Sequence, residues 1–286
     1  MFDIEQEIQI FGRALKDKSK NTTYNYLITV RQFLTWIVEN SYEYIFEEDI
    51  DKEQLESIAE EYKNNLFLEY NYEIKTINCK CDGINAYFRF KGLDCHIDRE
   101  KIQNQTFIND MLTNNELKEI AVYAKENGDY RTYAIIHAFF YTGARISELL
   151  QLKVRDLNKN EVMIQGKGKK FRKIFISNKL KDILIEYNNY HRKNTNTTAL
   201  FTGERGAITR STINKNLDKY FKILEIEEDK KITPHVIRHI FTKNLMSKGV
   251  SISAIKQLLG HSLTTTDIYG QLSKKELMEI LDSLDF

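Results

Sequence analysis

The chain has 286 residues, 42% of them hydrophobic and 29% charged, with a formal net charge of +1. That length suggests two domains, each able to bury a core, and the composition excludes fibrous and disordered classes. No apolar run reaches the roughly 18 residues that span a bilayer. The opening MFDIEQEIQIFG carries acids where a secretory leader carries positive charge, so a cytoplasmic protein is expected.

In chain order, residues 1–92 read as a helical domain. Tyr24, Leu27, Val30, Phe33, Leu34 and Ile37 form an apolar stripe at helical spacing, with Trp36 near that face. Residues 54–68 make another helix, with Leu55, Ile58, Ala59, Tyr62 and Leu66 inward, and a third spans about 74–90, with Ile77, Cys81, Ile84 and Phe88 inward. Cys79, Cys81 and Cys95 fit a reducing compartment, and with His96 they match no common zinc spacing. Asp49 and Asp51 lie in a generally acidic run, so no metal is assigned to them. Residues 93–105 are polar and aperiodic and read as a linker.

The second domain, 106–286, opens with helices near 114–128 and 130–141. Strands at 162–164 and 173–176 are joined through Gly166-Lys167-Gly168, helices follow at 180–190 and 211–224, and 194–198 is a polar loop. The expected fold is mainly α with one small antiparallel β-sheet. Charge is unevenly spread. Residues 43–61 are acid-rich, whereas 145–219 hold about ten more Lys and Arg than acids, a positive field suited to a phosphate backbone.

Chemistry-bearing residues gather in 233–271. Thr233 is a good N-cap and Pro234 a good first helical residue. His235 and Arg238, three apart, then share one helix face. Ile252, Ile255, Leu258 and Leu259 mark a second helix, ended by Gly260 in a left-handed C-cap, and His261 follows directly. A short third helix is expected from about residue 264, carrying Tyr269. Two imidazoles, a guanidinium and a phenol on consecutive short elements suggest phosphate handling. Taken singly, each has an ordinary reading as a core or surface residue.

Four motifs occur together: TGARISELLQL from Thr142, IQGKGKKFRKIFI from Ile164, PHVIRHIFT from Pro234, and LLGHS with TTDIY from Leu258. In order and approximate spacing they resemble the tyrosine recombinases, the phage integrase and Xer-type family, strongly over about 107–275. More weakly, Thr22, Tyr26, Val30, Phe33 and Trp36 resemble that family's helical core-binding domain. The resemblance implies a two-domain DNA clamp, a helical core-binding domain of 1–92 and a catalytic domain of 106–286.

Cutting DNA without metal or ATP needs a nucleophile, positive charge on the non-bridging oxygens, a proton acceptor and a proton donor. Tyr269 suits the first role, and Arg145 and Arg238 the second, since a guanidinium grips two phosphate oxygens and stays charged. The resemblance implies that Lys167 protonates the leaving 5′-oxygen, that His235 acts in acid–base catalysis and that His261 bonds the scissile phosphate. Glu148 and His239 match supporting positions. Lys169, Lys170, Arg172, Lys173 and Arg210 are expected to contact the DNA backbone. His261 and Tyr269 lie eight residues apart, one fewer than the commonest Xer spacing. GKGKK lacks the phosphate-loop pattern, so nucleotide binding is not expected.

The expected function is therefore site-specific recombination through a 3′-phosphotyrosyl link, with no cofactor or metal. The expected partners are double-stranded DNA and a homotetramer on two DNA sites, monomeric or dimeric off DNA, with room for a second recombinase or accessory protein. The setting is cytoplasmic and nucleoid-associated. Leu277, Ile280, Leu281 and Leu284 mark a terminal amphipathic helix expected to dock on a neighbouring protomer, its own domain being the alternative. A start directly at the helical domain favours a simple Xer-like resolvase, with a mobile-element integrase as the other task. A type IB-like topoisomerase and a non-catalytic DNA-binding regulator are the rival readings.

Overall fold

The computed structural model describes residues 3–46, 51–101, 112–166, 170–193, 196–226, 230, 232–260 and 272–286. The chain divides into two compact units, Met1–Thr106 and Phe107–Phe286, mainly helical with small antiparallel sheets. Among the described residues no helix is long and apolar enough to cross a membrane.

The first unit is built of α1 (Ile4–Ala14), α2 (Lys20–Glu39), α3 (Lys52–Leu68) and α4 (Ile74–Lys91). Side-chain caps from Asp3 and Ser19 start α1 and α2, satisfying backbone N–H groups that a helix start leaves orphaned. Val30, Phe33, Leu34 and Ile37 are buried as the stripe requires, but Tyr24 is 66% exposed. It sits in the first turns of α2. Helix α1 was not expected from the sequence. Its Ile4, Ile8 and Phe11, followed by Leu15, do repeat at helical spacing and pack into the core, a signal the sequence reading passed over.

The second unit begins, among its described elements, with α5 (Asn114–Glu126), α6 (Tyr130–Thr142) and the single turn α7 (Ile146–Leu149). The hairpin β1 (Glu161–Gln165) and β2 (Phe171–Phe175) follows, then α8 (Asn178–Glu186), which runs into a π-helical turn at Tyr187–His191. A second, two-residue hairpin, β3 (Thr202–Gly203) with β4 (Gly206–Ala207), was not anticipated. Helices α9 (Arg210–Ile223), α10 (Pro234–Ser247), α11 (Ile252–Leu259) and α12 (Lys274–Asp282) complete the unit. Helix α6 is its centre. Ala134, Ile136, Ala138, Phe139 and Phe140 are fully buried, so this helix is apolar all round and is wrapped on every side.

In the single chain the tail takes the alternative of the two expected seats. Helix α12 packs on its own unit, with Leu277, Leu281 and Leu284 buried in the core that holds α6. Asp282 accepts from the backbone N–H of Asn178 at 2.7 Å and from its amide at 2.9 Å. Lys248 donates to the Ser283 carbonyl at 2.7 Å, and the Phe286 ring meets His137 at 4.5 Å and Phe140 at 4.3 Å. Three apolar side chains, a capping carboxylate and an aromatic end give this helix a complete intramolecular seat.

Candidate active site

The site starts from a turn. Helix α6 ends at Gly143, whose φ of 55° is left-handed, and a Cβ there would lie 2.5 Å from the Phe241 ring. Only glycine gives both the conformation and the close approach. The reversed chain delivers Arg145 to the start of α7, with its side chain 38% exposed. Glu148, wholly buried, folds back to accept the Arg145 backbone N–H at 2.7 Å and its Nη1 at 3.0 Å.

Glu148 holds a second arginine. Arg172 donates from Nη2 to Glu148 Oε2 at 2.7 Å and from Nη1 to the Leu258 carbonyl at 2.7 Å. Burial pushes the Glu148 carboxyl up, but the bonds from Arg172 and from the Arg145 backbone, with the positive charge around them, hold it below the ordinary carboxylate range. Arg172, expected on the DNA backbone, has both terminal nitrogens engaged within the protein. Its side chain is 9% exposed, because register pairs it with Ile164 on the face shared by Val162 and Ile174. Lys170 and Lys173 are exposed, with Lys173 bonded to Glu161 at 3.1 Å. Arg210 opens α9 and is also exposed.

Helix α10 supplies the third arginine. Thr233 caps it and Pro234 sits in its first turn, as expected. Arg238 is buried and donates to the Gly143 carbonyl at 2.5 Å and to the Leu259 carbonyl at 3.0 Å. Burial first, then the charges of Arg145 and Arg172, lower its pKa to about 10, against the opposing pull of Glu148. It stays protonated at neutral pH. One turn away, His235 and His239 face each other Nε2 to Nε2 at 3.0 Å with rings at 85°, so one nitrogen of the pair carries the shared proton. Burial, then His235 and Arg238, push the His239 imidazole below its usual range.

Helix α11 closes the site. Its last carbonyls, Leu258 and Leu259, have no partner within the helix, and Arg172 and Arg238 take one each. Gly260, at φ 63°, ends it in the expected left-handed cap. The structure thus brings Arg145, Glu148, Arg172 and Arg238 together, with His235 and His239 on the same helix as Arg238. Lys167, Lys169, His261 and Tyr269 lie outside the described residues. Sequence reading missed Arg172 as a tie within the site, although strand alternation in FRKIF signals that Arg172 and Ile174 share a face.

The arrangement crowds three guanidinium groups around one carboxylate, with the exposed edge at Arg145, which suits an anion. The phage integrase family pattern matches residues 110–276. Tyrosine recombinase XerA of Pyrococcus horikoshii is 30% identical, the alignment covering 98% of this chain and 93% of that protein. A crystal structure of XerH site-specific recombinase bound to palindromic difH substrate, a post-cleavage complex, has TM-score 0.65 and 19% identity, covering 97% of this chain and 83% of that one. A lambda integrase tetramer bound to a Holliday junction gives TM-score 0.68 at 14% identity, covering 94% and 77%, and both structural likenesses concern the fold. The family pattern over more than half of the chain, and the near full-length likeness to XerA, show that this protein belongs to the phage integrase family of tyrosine recombinases.

Proposed function

We propose that this protein cuts and rejoins DNA at specific sites, with Tyr269 as nucleophile and Arg145 and Arg238 as the clamp on the scissile phosphate. The observation that carries the reading is geometric: Glu148 holds Arg145 and Arg172, Arg238 is fixed beside them on the Gly143 and Leu259 carbonyls, and Arg145 keeps a partly exposed edge. Three guanidinium groups against one carboxylate leave positive charge for an anion, and a phosphoryl group gaining charge is stabilised more in the transition state than at rest.

In this reading the Tyr269 oxygen attacks phosphorus as His235 takes its proton, the bond to the 5′-oxygen breaks, and Lys167 gives a proton to that leaving oxygen. The products are a 3′-phosphotyrosyl link and a free 5′-hydroxyl, which repeats the attack on a partner strand. The bond energy stays in the covalent link, so ATP has no role. His235 serves as acid–base group and His261 as phosphate donor, while Glu148 and His239 orient the arginines and His235. Lys169, Lys170, Lys173 and Arg210 meet the DNA backbone. Residues 1–92 bind DNA as the helical core-binding domain, 93–105 link them to the catalytic domain 106–286, and the working unit is a homotetramer on two sites. The difH substrate held by XerH and the Holliday junction held by the lambda integrase tetramer support that reading.

The tail enters this scheme from its seat on its own unit. Its apolar stripe serves a neighbour only after leaving that seat, so exchange between protomers accompanies assembly.

The test is covalent trapping. Purified protein is mixed with sheared DNA from its source, quenched in SDS, and the linked fragments are sequenced, with Tyr269→Phe as control. Adducts at one inverted-repeat locus are expected, and they disappear in the control. Adducts scattered over the genome would favour a topoisomerase, and binding without adducts a silent DNA-binding protein.

A further inference from the structure

Arg172 stands out because the neighbouring basic residues of its hairpin, Lys170 and Lys173, are exposed, whereas its own side chain turns inward. Its two terminal nitrogens reach two different segments: Glu148 Oε2 at 2.7 Å and the Leu258 carbonyl at 2.7 Å. Glu148 in turn fixes both the backbone N–H and the guanidinium of Arg145. The stem of Arg172 also fills the space that a Cβ on Gly260 would need, so a glycine is required there by the arginine as well as by the backbone. On the other arm of the hairpin, a Cβ at Gly166 would stand 3.3 Å from Glu148 Oε1. One planar group therefore touches the strand that follows Lys167, the carboxylate that seats Arg145, and the helix end that precedes His261.

We propose that Arg172 is a positioning residue for recombination: it holds the turn bearing Arg145 and the 258–260 helix end in fixed relation without touching DNA. The inference rests on the reading of Arg145 as a phosphate ligand. Two acceptors in two directions need the rigid fork of a guanidinium, and a lysine, a single point charge, satisfies one of them.

The experiment compares the parent protein with Arg172→Met, Arg172→Lys and Glu148→Gln on a duplex carrying the trapped site. DNA affinity should change by less than about threefold, and its salt dependence should keep the same slope, since a lost phosphate contact lowers that slope by about 0.9. The first-order rate of adduct formation at saturating DNA should fall at least 100-fold in Arg172→Met, and Arg172→Lys should fail to restore it. Combining Arg172→Met with Glu148→Gln should cost less than tenfold beyond either alone, because both cut one tie. Weaker binding with a shallower salt slope would make Arg172 a backbone contact and overturn the proposal, as would an unchanged adduct rate or rescue by lysine.

A chemistry-free arm separates this proposal from the functional reading. Hydrogen exchange should rise together in peptides 145–150 and 252–260 of Arg172→Met, whether or not any adduct forms. Loosening confined to 171–175 would overturn the positioning role. Absence of adducts in the parent protein would defeat the functional reading alone.

Discussion

Arg238 and Gly143 are joined by a 2.5 Å bond from Nη1 to the carbonyl that ends α6. The contact ties the middle of α10 to the turn that presents Arg145, and Gly143 makes it possible by leaving room for Phe241 and Leu259. Gly143→Ala forces a side chain onto a left-handed backbone and into those two residues. A loss of about 3 kcal/mol is expected from backbone strain and overpacking together, read by urea denaturation, with loss of adduct formation in the material that still folds.

Arg238→Lys keeps the charge and removes the fork. One ammonium cannot reach both the Gly143 and Leu259 carbonyls, so a buried acceptor is left without its bond, at about 1–3 kcal/mol. Adduct formation should fall by two or more orders of magnitude while equilibrium DNA binding drops far less. Comparable losses in both would mean that Arg238 serves general DNA affinity.

Glu148 sets part of the acid stability. Its folded pKa lies below the ordinary value, so its contribution is complete above about pH 5 and is lost as pH falls through that depressed value. Glu148→Gln should cost about 3 kcal/mol at neutral pH by leaving Arg145 and Arg172 around an uncharged partner. Its stability profile between about pH 5 and 3 should be flatter than the parent's. A parallel profile would show that the carboxylate is not held by its arginines.

His137 works on a higher pH window. It is 6% exposed inside α6, its Nδ1 donates to the Tyr133 carbonyl at 2.9 Å, and burial lowers its pKa to about 4. Between the ordinary value near 6.5 and about 4, the unfolded chain takes a proton that the native state refuses, so stability falls by about 3 kcal/mol as pH drops across that range. His137→Leu removes this proton uptake. The variant should lose less stability from pH 7 to pH 4.5 than the parent, as measured by denaturant titration at each pH.

The seat of α12 has an energetic signature. Leu281 is 1% exposed, so Leu281→Ala should destabilise the second unit by about 2–5 kcal/mol, in protein kept dilute and free of DNA. A tail that instead docked only on a neighbour would leave the dilute protein's stability unchanged.

Most helices were legible because their apolar positions repeat with a clear period and their starts carry Ser, Thr or Asp. Thr233 with Pro234, and Gly260 after Leu259, even gave the ends of α10 and α11. Tyr24 misled because helical spacing alone does not bury an aromatic, and this one is exposed. Residues Arg145, Glu148, Arg238 and His239 could be named from motifs, but their mutual ties could not. The carbonyls that Arg238 and Arg172 grip belong to Gly143, Leu258 and Leu259, and main-chain atoms leave no residue type to read. Arg172 was assigned by charge when strand alternation held the better information. The seat of the tail depends on Asn178 and Lys248, two residues unremarkable in sequence.

A tail that fills its own pocket also bears on how several copies would come together. The free protomer offers no loose apolar end, which lowers its tendency to self-associate away from DNA. If tails trade places around a closed ring, each vacated seat receives an identical guest, so every seat is packed as well after the trade as before it. The exchange itself then contributes almost nothing to holding the ring together. The driving force must come from DNA, which raises the local concentration of protomers, and without it the exchanged ring has no net energetic advantage over separate protomers.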